Sequence, residues 1–230
     1  MSKIHFIGGE KGGVGKSVTA RLLAQYLIDH NTPFRIYDAD LSHGAMMRYY
    51  GDYTQPLDIS DAESADRFAE EVITSGTTAI VDLAAQTLAP LSHWIEETGL
   101  IDLAAESDLT LTLWHILDDG ADSLMLLQKM FHTFGEQPNY VIVRNFGRGS
   151  DFSAYTASEA AALAERCRAT VIDLPPLNPG VMRKIDHYSA SFWAAANLNG
   201  QDAENHLGLL ERQRVKIWLN KIYKQFAEVI

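Results

Sequence analysis

The 230-residue chain contains a single cysteine, Cys167. One thiol closes no internal disulfide and forms no CxxC clamp, so a disulfide framework and a structural zinc site are excluded, and Cys167 reads as an inert thiol. No apolar run reaches the roughly 18 to 20 residues needed to cross a bilayer. The amino-terminal MSKIHFIGGEKGG leads straight into a glycine-rich motif without a signal-peptide pattern, so the cytoplasm is the expected location. Basic residues are scarce too, with 19 Lys and Arg against 30 Asp and Glu and a formal net charge of -11. That balance opposes whole-surface attraction to nucleic acid while leaving room for a local basic patch. Internal repeats, low-complexity tracts and long Pro/Ser-rich linkers are all missing. With 47% hydrophobic residues, one substantial core is affordable, and a single domain over 1–230 is expected.

What the chain does have is an alternation of short apolar runs with longer helical patterns, the order of βα units around a parallel sheet covered on both faces. Lys3 to Gly8 reads as the first strand. Ser17 to His30 reads as a helix, with Ala20, Leu23, Ala24 and Leu27 at helical spacing, and Asn31-Thr-Pro33 ends it. Further strands are expected at Phe34–Asp38, Thr78–Asp82, Leu109–Trp114, Tyr140–Val143 and Thr170–Leu174, with helices at Asp61–Ser75 and Thr156–Arg168. Asp118-Asp119-Gly120 stands where another helix begins. The path from Gly180 to Gln201 has no clear pattern.

The strongest signal is Gly9-Glu10-Lys11-Gly12-Gly13-Val14-Gly15-Lys16-Ser17, set between a predicted strand and a predicted helix. In that setting successive backbone N–H groups and a helix N-terminus surround phosphate oxygens, Lys16 offsets their charge, and the Ser17 hydroxyl joins a magnesium shell. A dinucleotide fingerprint does not fit, because Val18 occupies the place of its third glycine. Lys11 is surplus to such a loop.

This loop resembles the altered Walker A motif KGGxGK[ST] of the ParA/MinD superfamily, matched by Lys11 through Ser17. The resemblance implies an α/β P-loop NTPase of the SIMIBI type that binds ATP and Mg2+ through Gly12, Gly13, Val14, Gly15, Lys16, Ser17 and Val18. It also implies an ATP-dependent homodimer in which Lys11 reaches the neighbour's nucleotide. Asp38 and Asp40 follow the second strand as the family's DxD does. Asp40 matches the acid that orients attacking water, and Asp38 is its structural or magnesium-linked neighbour. Asp82 matches the Walker B acid that holds magnesium through water, although an Asp after an apolar strand also serves as a helix cap. Asn145 matches the adenine-recognising Asn, with Asp173-Leu-Pro-Pro176, and hence Pro175, in the loop beside it. The switches depart from the family: DADLSHG replaces a DxDPQGN-like run, and Asp82-Leu-Ala-Ala-Gln86 a DTPP-like one. His43 is either a phosphate contact or an exposed switch residue.

Lys3-Ile-His5, Pro90-Leu-Ser-His-Trp94, Asn145 and Arg212-Gln-Arg-Val-Lys-Ile217 give a further resemblance to the TraL-like proteins of conjugative plasmids. They imply positioning or partitioning of DNA, a plasmid or a protein complex during conjugation, with a cargo or stimulating protein as partner. The segment 203–230 reads as a terminal amphipathic helix whose stripe of Val215, Trp218, Leu219, Ile222, Phe226 and Val229 suits either packing on the sheet or a membrane surface. Arg166, Arg168, Arg183 and Lys184 are either a DNA-facing patch or scattered charges. Peripheral attachment at nucleoid or membrane follows from those second readings. Two further classes stay open: a nucleotide-binding regulator with little turnover, and a small-molecule kinase or amidoligase on the same fold.

Overall fold

Apolar runs bounded by Gly, Pro and Asp become strands buried on both sides. The computed structural model describes residues 1–41, 44–202 and 204–230, so His43 lies outside the described residues. Among these, β1 (Ser2–Gly8), β2 (Phe34–Asp38), β3 (Thr54–Pro56), β4 (Thr78–Asp82), β5 (Leu109–Leu117), β6 (Asn139–Asn145) and β7 (Thr170–Leu174) form one parallel sheet, ordered β3-β2-β4-β1-β5-β6-β7. The connections carry α1 (Lys16–Asp29), α2 (Ala45–Tyr50), α3 (Ala62–Ser75), α4 (Leu88–Thr98), α5 (Leu100–Glu106), α6 (Ala121–Phe134), α7 (Ser153–Thr156) and α8 (Glu159–Arg166), and β7 is followed by α9 (Pro179–His187), α10 (Phe192–Asn197) and α11 (Leu209–Phe226).

Strand periodicity divides the core in two. Ile4, Phe6, Leu111, Leu113, Tyr140 and Ile142 face α3 through α8, while Ile7, Trp114, Ile116, Val141 and Val143 face α1, α2, α9, α10 and α11. The expected α/β architecture with helices on both faces is therefore the observed one. The register sets the ends of the strands level: Asp82 is the Cα partner of both Ile7 and Asp38, Gly8 pairs with His115, and Asn145 pairs with Leu174.

The structure corrects two local expectations and decides between two pairs of open readings. Thr156 to Arg168 is not one helix: Ser158 is extended, its hydroxyl accepting from the Ala161 amide at 3.3 Å to cap α8, which separates α7 from α8. The terminal helix runs from Leu209 to Phe226; Ala203 lies outside the described residues, and Val229 is half-buried beyond the helix end. Its stripe is core, because Val215, Trp218, Leu219, Ile222 and Phe226 are buried against the sheet. At about 2 kcal/mol for each such side chain, lifting α11 off the sheet into water costs on the order of 10 kcal/mol, so the stripe is spoken for in this fold. Finally, the four arginines and lysines do not make one patch, since α8 and α9 pack on opposite faces; Arg166 pairs with Glu136 and Lys184 with Glu211. Cys167 is buried as an unpaired thiol. No helix among the described residues is long and apolar enough to cross a membrane.

Candidate nucleotide site

At the carboxyl edge of the sheet β1 gives way to a loop that delivers Lys16 as the first residue of α1. This loop turns through positive φ at Gly9, Gly13 and Gly15. Gly15 is doubly constrained: its φ is 108°, and a Cβ there would collide with Nδ2 of Asn145. Asn145, buried at the end of β6, donates that amide to the Val14 carbonyl at 2.7 Å and accepts from the Gly147 amide at 2.9 Å. It thus braces the phosphate loop from behind. Glu10 does similar work on the other side, accepting from the Leu88 amide at 2.6 Å and capping α4, whose own N-cap Thr87 turns its hydroxyl to the Ala84 carbonyl at 2.9 Å and makes no capping bond.

Lys16 is buried, and its ammonium donates to the Lys11 carbonyl at 3.0 Å. Burial pushes its pKa down, opposed by the charges of Asp82, Asp40 and Glu10. Asp82 is the most perturbed acid. It is 1% exposed, and neither carboxylate oxygen has a hydrogen-bond partner among the described residues. Burial pushes its pKa up to about 7, with Ser17 the main opposing influence. Ser17 acts on this acid without reaching hydrogen-bond geometry.

Asp38, although adjacent, is already committed. Its Oδ1 accepts from the Asp40 amide at 3.1 Å, and its Oδ2 accepts from Met46 at 2.9 Å and Met47 at 3.4 Å, tying β2 to the first turn of α2. Burial raises its pKa, and those amides pull it back. Asp40 is half-buried and its negative charge acts on Lys16, Asp38 and Asp82. No group of three His, Cys, Asp or Glu side chains among the described residues forms a ready metal cage.

A cavity of about 320 Å³ opens beside the loop, lined by Gly15, Val18, Asn145 and Pro175 together with Leu177 and Trp218. Pro175 is fixed there by its carbonyl, which accepts from the Trp218 indole at 2.7 Å. Four residues assigned to a nucleotide from sequence therefore share one wall. Asp186 also lines this cavity and gathers three helices: it accepts from Arg21 at 3.0 Å and from Tyr49 at 3.1 Å, while Arg48 donates to its carbonyl at 2.6 Å. Arg21 is buried with its guanidinium 3.5 Å from the centre of the Tyr49 ring.

Lys11 stands apart from these groups. Its ammonium lies 2.7 Å from Asp118 Oδ2, which raises its pKa through the hydrogen bond they share. Neither this pairing, the Glu10 cap nor the Asp186 junction is announced by a local motif, since each joins segments distant in the chain.

No family model matches the chain. It is 25% identical to the TraL protein of Escherichia coli, with 98% of this chain and 97% of that protein aligned, and 26% identical to the MobD protein of Acidithiobacillus ferrooxidans, with 99% and 97% aligned. The fold is similar to that of MinD, a cell division protein of Aquifex aeolicus, with a TM-score of 0.54 at 13% identity over 96% of this chain and 98% of MinD. The MinD fold in a MinC:MinD complex from that organism gives 0.51 at 13% identity, over 96% of each chain. A nucleotide-binding protein of Archaeoglobus fulgidus in complex with ADP gives 0.50 at 16% identity, covering 79% of this chain and 84% of that one.

Proposed function

From the premise that this chain is a full-length homologue of TraL and MobD proteins with a ParA/MinD-like P-loop NTPase fold, we propose that it is a Mg2+-dependent ATPase used as a dimerisation switch. The observation that carries the reading is the pair of orphaned Asp82 oxygens, buried at the strand end beside Ser17 and Lys16. An unpartnered buried carboxylate is costly unless a ligand satisfies it, and a metal-bound water does so.

In this reading the amides of Gly12 through Ser17 surround the phosphates, Lys16 turns from the Lys11 carbonyl toward them, and Ser17 and Asp82 hold the metal shell. A Mg2+ ion held there by Ser17 and Asp82 would supply charge neutralisation for the phosphates. Asp40 orients the water that attacks the γ-phosphorus, and the bond to ADP breaks to release ADP and phosphate. Asp38 supports this by fixing Asp40 and α2 through the amide bonds its carboxylate accepts. Val18, Asn145 and Pro175 flank the base. Lys11 crosses to the triphosphate of a second copy, so occupancy governs pairing. The released or retained partner is a cargo or stimulating protein, or a DNA complex in conjugation; the MinC:MinD complex supports a protein partner by analogy.

Light scattering tests the switch: the protein pairs with Mg2+ and a slowly hydrolysed ATP analogue and stays single with ADP. Asp40→Ala keeps the pair while slowing phosphate release. An unchanged mass with the analogue, or an equally fast Asp40→Ala enzyme, contradicts the reading.

A further inference from the structure

For Lys11 to serve a neighbouring subunit it must first leave its own. The ammonium is held 2.7 Å from Asp118 Oδ2, with a third of the lysine side chain exposed. The acid is anchored in turn. Its Oδ1 accepts from the Gly120 amide at 3.1 Å and from the Ser123 hydroxyl, both at the start of α6. Gly120 lies so close beneath the amine that a Cβ there would come within 2.9 Å of Nζ. Asp122 and Asp119 add negative potential around the same amine. Asp118 therefore cannot follow a departing lysine without undoing the first turn of its helix.

Resting on the dimerisation switch above, we propose that Asp118 is the positioning residue of Lys11: it holds the amine in cis in the single subunit and sets how much nucleotide is needed before two subunits pair. Pairing is then an exchange of anions, in which a neighbour's triphosphate replaces the Asp118 carboxylate at one ammonium. This also changes the electrostatics of the empty protein. Two neutralised amines repel little, so what restrains nucleotide-free pairing is the lack of a free cation at the interface rather than a clash of like charges.

The experiment compares four full-length proteins by light scattering against increasing Mg2+ and slowly hydrolysed ATP analogue: parent, Asp118→Asn, Lys11→Ala and the double variant. Asn keeps an acceptor for Gly120 and Ser123 but loses the charge. For a partly exposed ion pair the expected gain is about five-fold per protomer, hence about 25-fold in the pairing constant, and Asp118→Asn pairs at a correspondingly lower analogue concentration. The double variant stays single, because the gain runs through Lys11. If the parent pairs but Asp118→Asn requires as much analogue or more, the assignment of Asp118 is wrong and the switch stands. Pairing by the double variant shows that Asp118 acts through the structure of α6 instead, and also overturns the assignment. A parent and an Asp118→Asn protein that both remain single refute the switch and this inference with it.

Discussion

Replacing Asp82 with Asn should make the protein more stable while depriving it of function. Removing the Asp82 charge hydration by burial lifts its pKa from 3.8 to about 7. At about 1.4 kcal/mol per pH unit, ionising this acid costs the folded state on the order of 4 kcal/mol. The cost is nil below pH 3.8, where folded and unfolded chains both carry the proton; it grows as the pH rises and reaches its full value above about 7. Asp82→Asn removes it. The variant should match the parent near pH 4 and exceed it at pH 8 by a few kcal/mol, or on the order of 10 °C in melting temperature for a chain of this length. Urea unfolding at pH 4, 6 and 8, followed by tryptophan fluorescence, measures the difference directly. Mg2+ with nucleotide should then raise the parent's melting temperature and leave the variant's unchanged. A difference independent of pH, or a variant weaker than the parent at pH 8, would refute the claim that an unsatisfied buried charge sits at this strand end.

Two further substitutions probe the phosphate loop. Gly15→Ala places a side chain at φ 108° against Asn145, and should cost about 1–3 kcal/mol in a urea titration together with loss of fluorescent-nucleotide binding. Asn145→Ala leaves the Val14 carbonyl and the Gly147 amide without their side-chain partner; about 1–3 kcal/mol of stability should go, and nucleotide titration should show weaker binding.

Much of the scaffold is legible in the sequence because short apolar-rich runs bounded by turn residues mark the strands, even where an edge strand such as Thr170–Leu174 leaves one face partly exposed. Phe34–Asp38, Thr78–Asp82 and Thr170–Leu174 needed no adjustment. β3 escaped notice because it is three residues long, lies at the sheet edge and ends in Pro56, where pattern arguments have nothing to count. α9 and α10 fall in the unpatterned stretch, yet Asn178 caps the first and Ser191 the second through side-chain bonds that are local and readable. At the site, the loop and its neighbouring acids were legible as residues but not as partners. Sequence pairs Asn145 with a base, whereas its shortest bond goes to the Val14 carbonyl; it leaves Lys11 for a second subunit, whereas Asp118 already holds it. Both contacts are made across the sheet edge, where only the strand order brings the residues together.

Asp186 gives the molecule a mechanical property. Because one aspartate receives Arg21 from α1, Tyr49 from α2, and Arg48 on its carbonyl, a tilt of α2 must either tear those bonds or drag α9 along. α9 carries Met182 and Arg183 in the wall of the cavity. A displacement begun beside Asp40 is thereby geared to the opposite rim of the cavity.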